Sequence, residues 1–207
     1  GHRHGNSEQL NDAVKKMDSQ MQRIWNAIQY REKNYNEEWV IYITTDHGRD
    51  TTGYNHGGQT DRERTIWMVT NANGLNDHFL KQQPAIVDIV PSIASFLNIN
   101  IPIDQLIELD GVSLTGKLSA TNARATLINN VIRLKWNVLD KKGNEKIWLS
   151  TANHFKTGGK DDYRLMGQVP VANGSTKINV KQFPSGFYKV VIEMPYNFLN
   201  TWIINKK

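Results

Sequence analysis

At 207 residues, with 39% apolar side chains and six tryptophans, the chain can bury a core as one domain or two small ones and does not have the composition of a disordered segment. It has no cysteine, which excludes disulfides, cysteine nucleophiles and thiolate metal sites, and no apolar run near the roughly 18 residues of a membrane span. The net charge of +5 is uneven: residues 1–130 hold 12 basic and 15 acidic residues, and residues 131–207 hold 13 and 5. The basic residues of the second part are scattered through alternating segments rather than gathered in a stripe, so no specific nucleic-acid binding is expected.

The opening Gly1-His2-Arg3-His4 is followed by no apolar stretch, so the chain shows no secretory leader or lipidation signal and leaves its compartment open. Leu10, Val14, Met17, Met21, Ile24 and Ile28 recur every three or four residues. This spacing predicts a helix from residue 7 to about 34 with one buried stripe, capped by Asn6 with Gln9 as reciprocal partner. Trp39 to Thr44 is a continuous β-branched and aromatic run, the pattern of a strand covered on both faces in a parallel or mixed sheet. Thr65 to Thr70 reads as a second strand, and the polar segment 45–64 between them as a loop at a strand end, where open α/β sheets bind ligands.

Residues 86–97 read as a short helix with Pro91 in its first turn and Asn98 at its end. The stretch 98–118 has no sustained period and reads as irregular chain. From about Asn129 short alternating segments follow, at 132–138, 145–152, 163–169, 175–180, 187–194 and 199–204. Six such strands with short turns predict an antiparallel sandwich or small barrel. The expected division is therefore 1–118 and 119–207.

The strongest chemical signal is Thr44-Thr45-Asp46-His47-Gly48 directly after the first strand, followed by His56-Gly57-Gly58. Carboxylate oxygen and imidazole nitrogen both suit zinc and similar divalent ions, and a turn at Gly48 can bring Asp46 and His47 onto one metal while the returning loop offers His56. The alternative reading is ordinary polar loop residues. His2 lies in a loop just before the long helix, a position from which site groups are often presented. Arg62-Glu63-Arg64 reads as a solvated charge run, with the arginines available to an anionic substrate. Trp67 reads as filler of a sheet face. His78 and His154 have no acidic or histidine partner at ligand spacing and read as structural or exposed. Tyr196, Asn197 and Trp202 read mainly as strand residues, with a carbohydrate or partner surface as the alternative.

Taken in order, the Gly-His-x-His-Gly loop, the long helix, the apolar strand, Thr45-Asp46-His47-Gly48, His56-Gly57-Gly58, Glu63-Arg64-Thr65-Ile66, Asp88-Ile89-Val90-Pro91-Ser92-Ile93 and Asp110-Gly111-x-Ser113-Leu114 carry a family likeness. Roughly residues 1–116 resemble the carboxyl-terminal part of the alkaline phosphatase superfamily, in its type I phosphodiesterase and nucleotide pyrophosphatase branch. The resemblance implies a partial doubly wound α/β domain followed by a small antiparallel β-sandwich. It also implies two divalent metals, usually zinc, and a phosphate ester substrate.

By the same resemblance Asp46 and His47 match the Asp-His pair of one metal, and His56 and His2 match histidines of the other. The aspartate that precedes the Gly-His pair in the family is absent, as are an early aspartate and the nucleophile. None of Ser7, Thr44, Thr45, Thr51 or Thr52 stands at the nucleophile position, so no catalytic residue is assigned. The expectation is a carboxyl-terminal fragment of a metal-dependent phosphoric ester hydrolase. Such a fragment is expected to be inactive alone, to bind metal weakly or not at all, and to self-associate through exposed core. A phosphoglycerate mutase or sulfatase relative, and a non-catalytic binding or structural module centred on the sandwich, are the alternatives. A secreted, periplasmic or lipoprotein setting is compatible with the resemblance.

Overall fold

Ser7, rather than Asn6, starts the long helix: its hydroxyl accepts the Leu10 N–H at 3.4 Å, and α1 runs Glu8–Tyr35 until Asn36 turns left-handed at φ 53. The computed structural model that shows this describes residues 2–154 and 157–205, divided into two units, Gly1–Ala72 and Asn73–Lys207. In the first unit the apolar stripe of α1 is largely uncovered. Ile28 is buried, whereas Val14, Met17 and Ile24 are 60%, 56% and 45% exposed.

Two short strands follow, β1 at Tyr42–Thr44 and β2 at Met68–Thr70, paired antiparallel with Ile43 opposite Val69. Asn71 extends the pair with its side chain, accepting the Ile41 N–H at 2.9 Å and donating to the Trp39 carbonyl at 3.0 Å. The intervening chain holds one helical turn, α2 at Asp61–Arg64, opened by a reciprocal cap between Thr60 and Glu63.

This arrangement corrects the expected doubly wound domain. A parallel strand needs a crossover long enough to pack a helix on the sheet. Here the connection has only the four residues of α2 in helix and turns back, so β2 returns beside β1 in the opposite direction. All three sheets among the described residues are antiparallel. The apolar run 39–44 is accordingly only half-buried along β1 rather than sandwiched between helices.

The second unit begins with α3 at Asp77–Lys81, capped by the Asn76 side chain, which also donates to the Ser113 carbonyl at 2.8 Å. A tight turn at Ile86–Asp88 leads into α4 at Ile89–Phe96, with Pro91 in its first turn. Asn98, at φ 53, follows the end of α4. The stretch read as irregular contains a further turn of helix, α5 at Ile103–Leu106.

Seven strands follow: β3 Ala120–Ile128, β4 Val131–Val138, β5 Asn144–Ser150, β6 Arg164–Pro170, β7 Ser175–Asn179, β8 Phe187–Glu193 and β9 Phe198–Ile204. They form two antiparallel sheets, ordered β3-β4-β7 and β6-β5-β8-β9. Alternation puts Ile132, Leu134 and Trp136 of the first sheet and Ile147, Leu149, Tyr188, Val190 and Ile192 of the second into one shared core. Strand β3 escapes the sequence pattern because its inward positions are mostly small and because Asn122, at φ 56, breaks the register between Thr121 and Arg124.

The expected boundary at 118/119 falls inside this unit. Val112 and Leu118 belong to the shared core. Ahead of them, residues 104–109 lie over the outer face of the four-stranded sheet. Asp104 pairs with Lys160 at 2.7 Å, Glu108 takes Lys189 and the Tyr163 hydroxyl, and the Leu109 carbonyl accepts from Asn200 at 2.5 Å. Val191, opposite Asn200 in register and outward by alternation, is 0% exposed on the same face on which Asn200 and Lys189 bind this segment.

Candidate metal centre

Asp46 and His47 follow β1 directly, and a close backbone approach bends the chain there: the Gly48 N–H donates to the Glu63 carbonyl at 2.7 Å. A Cβ on Gly48 would stand 2.0 Å from the Arg62 carbonyl oxygen, so only glycine fits. The returning loop brings His56 over His47, with ring centroids 3.8 Å apart and planes inclined by 28°. The His2 ring lies 5.0 Å from that of His56 between centroids, tilted by 52°. The structure therefore sets the rings of His2 and His47 each beside that of His56, with Asp46 next to His47.

Two backbone carbonyls orient these rings. His2 Nδ1 lies 2.7 Å from the Tyr54 carbonyl, and His47 Nδ1 lies 2.7 Å from the Gly48 carbonyl. A carbonyl only accepts, so both Nδ1 atoms donate, and in the neutral rings the lone pair is left on Nε2. His47 Nε2 faces Asp46 Oδ2 at 3.2 Å. As placed, no three His, Asp or Glu side chains among the described residues converge into a ready cage. The donor types, imidazole and carboxylate, are ones that suit a divalent ion, but as placed they do not converge on one.

Glu63, which the sequence reading takes as part of a solvated charge run, is buried beside the candidate site. It is 7% exposed, and its carboxylate accepts the Gly58 N–H at 2.8 Å, the Thr60 N–H at 3.1 Å and the Thr60 hydroxyl at 2.7 Å. The Thr60 hydroxyl, followed by the two N–H groups, holds its carboxyl below the usual carboxylate range. The signal available in the sequence was the Thr60-x-x-Glu63 spacing of a capping box.

Several hydroxyls considered as nucleophile substitutes are engaged elsewhere. Ser7 caps α1, Thr44 donates to the Trp67 carbonyl at 2.7 Å, and Thr52 donates to Asp50 at 2.7 Å. Asp50 organises the loop before His56, accepting as well the N–H groups of Tyr54 and Asn55.

The two histidines read as partnerless both have acidic neighbours. His154 Nδ1 lies 3.1 Å from Asp161, at the surface. His78 is buried with Nε2 2.9 Å from Asp88 Oδ2 and Nδ1 3.3 Å from Gln82 Oε1. Asp88 also accepts the N–H groups of Ala85 and Val112, both at 2.8 Å, and so ties α3, the start of α4 and the chain entering the core. Desolvation pulls the His78 pKa down, but the Asp88 hydrogen bond and charge, with Gln82, outweigh it and leave it raised. These partners are ten and seven residues away in sequence, outside the local spacings by which ligand motifs are recognised.

No family model matches the chain, and no curated protein matches it. Three chains among the solved structures match, one of them the crystal structure of the Clostridium perfringens spore cortex lytic enzyme SleM. That likeness is 18% in sequence identity, covers 45% of this chain and 29% of that one, and has a TM-score of 0.30, at which it supports neither a fold nor a function.

Proposed function

We propose that this chain carries part of the divalent-metal site of a phosphoric ester hydrolase and is itself catalytically inactive. The observation that carries this reading is the opposed pair of His47 Nε2 and Asp46 Oδ2 at 3.2 Å, with His56 stacked on His47 and the His2 ring 5.0 Å from that of His56. Asp46 and His47 would hold one ion, and His56 and His2 would contribute to another, as the sequence resemblance implies. When bound, such ions supply Lewis-acid polarisation of a phosphoryl oxygen and lower the pKa of an attacking hydroxyl or water.

The chain's own part is to orient and to bind. The Tyr54 and Gly48 carbonyls hold two rings with Nε2 outward, and Asp46 supplies negative charge at an exposed position. Inactivity follows from the absence of a hydroxyl at the nucleophile position of the resemblance, since covalent phosphoryl transfer needs an activated oxygen beside the metal. The exposed apolar residues of α1 extend the proposal to self-association, which sedimentation velocity over a concentration series measures.

The test is zinc uptake by the full chain, by Asp46→Ala and by His47→Ala, together with turnover of a chromogenic phosphodiester. Weak uptake by the parent chain that falls in both variants, with no turnover, supports the proposal. Uptake unchanged in both variants overturns the metal assignment, and metal-stimulated turnover that disappears in both overturns the inactivity.

A further inference from the structure

We propose that Glu63 is the positioning residue of the stacked His47–His56 pair, its carboxylate fixing the loop that carries His56 against the turn that carries Asp46 and His47. Its zinc readout rests on the metal reading above, whereas its geometric readout does not.

One residue reaches both segments. Its main-chain carbonyl takes the N–H of Gly48, immediately after His47, while its side chain takes the N–H of Gly58, two residues after His56. Only Gly57, at φ +102 in a region that favours glycine, separates His56 from the anchored Gly58, so the anchor lies two residues from the His56 ring. Both glycines are places of close approach. A Cβ on Gly58 would meet Glu63 Oε2 at 2.7 Å, and one on Gly48 would meet the Arg62 carbonyl oxygen at 2.0 Å.

A reciprocal cap accounts for only part of this. Capping uses the glutamate to accept the N–H of the N-cap residue, here Thr60 at 3.1 Å to Oε2. The other oxygen, Oε1, reaches two residues further upstream to Gly58 at 2.8 Å, which does nothing for the helix and ties down the histidine loop. Thr60 and Glu63 can therefore be separated by substitution: Thr60→Ala weakens the cap and spares the Gly58 bond, whereas Glu63→Ala removes both.

The experiment compares Glu63→Ala, Glu63→Gln and Thr60→Ala in the full chain. Two readouts are taken: the nuclear Overhauser contact between the His47 and His56 rings, and affinity for zinc ion alone. Glu63→Ala is expected to lose the ring contact and weaken zinc binding by about 10- to 100-fold, as for groups that orient metal ligands. Glu63→Gln keeps one acceptor oxygen and is expected to fall between it and the parent. Thr60→Ala is expected to keep the contact and most of the affinity.

A ring contact that survives in Glu63→Ala, or one lost equally in Thr60→Ala, overturns the proposal. Parent-like zinc affinity in Glu63→Gln removes the need for both oxygens and overturns it as well. If the parent chain takes up no zinc, the metal reading fails while the ring contact still decides the role of Glu63.

Discussion

Glu145 stands on the inward face of β5, 0% exposed, with neither carboxylate oxygen hydrogen-bonded among the described residues. Burial pushes its carboxyl from an ordinary 4.5 up to about 7. The folded chain therefore keeps a proton that the unfolded chain releases, and stability falls as the pH rises from about 4.5 to about 7, then levels. At roughly 1.4 kcal/mol for each tenfold change in proton affinity, ionising this group in the folded state costs about 3 kcal/mol by pH 8. Glu145→Gln removes that pH dependence while leaving a polar group of similar size in place. The assay is urea unfolding of both chains at pH 5 and pH 8, followed by tryptophan fluorescence. The parent should lose about 2.5 kcal/mol more than the variant between the two conditions, the first part of the loss having already occurred by pH 5. Equal losses in parent and variant would show that Glu145 finds a proton donor or water in solution and would refute the reasoning.

Asp88→Ala should destabilise the second unit by about 3–5 kcal/mol, because it leaves His78, the buried Val112 N–H and the part-buried Ala85 N–H without their acceptor; thermal unfolding measures it. His78 adds a pH term of its own. With its pKa raised above 6.5, its contribution is present below that value and lost as the pH rises through the higher folded value, so Glu145→Gln should still weaken with rising pH, and Glu145→Gln with Asp88→Ala much less. Leu134→Ala should cost about 2–5 kcal/mol in the same measurement, since Leu134 is fully enclosed between the two sheets. Gly48→Ala should cost about 1–3 kcal/mol in the first unit through its clash with the Arg62 carbonyl, seen as faster proteolysis of the 45–64 segment.

The long helix and the alternating strands were legible because their signals are periodic and local: α1 follows its apolar spacing, and β4 its in-and-out alternation. Strand β3 was not, since alanines leave the alternation faint and a left-handed asparagine interrupts it. The orientation of β1 against β2 was not legible either. An apolar run of six residues reads alike whether its partner runs parallel or antiparallel, and the choice is made by the loop between them. Motif order marks His2, Asp46, His47 and His56 as candidates, and the fold stacks His56 on His47 and sets His2 5.0 Å from His56. What it did not reveal was the bracing. Glu63 looks like any glutamate between two arginines until the backbone of Gly48 and Gly58 is seen to close on it.

The segment at 104–109 that covers the outward face of β8 and β9 decides where the chain can be cut. A piece expressed from residue 119 would keep all seven strands, yet it would leave Lys189 and Asn200 without Glu108 and the Leu109 carbonyl on the face that carries Val191. It would also lack Val112 and Leu118 from the interior. Such a piece should be recovered as aggregate or with a mobile outer sheet, whereas one starting at residue 73 retains the cover and should give sharp, dispersed amide resonances.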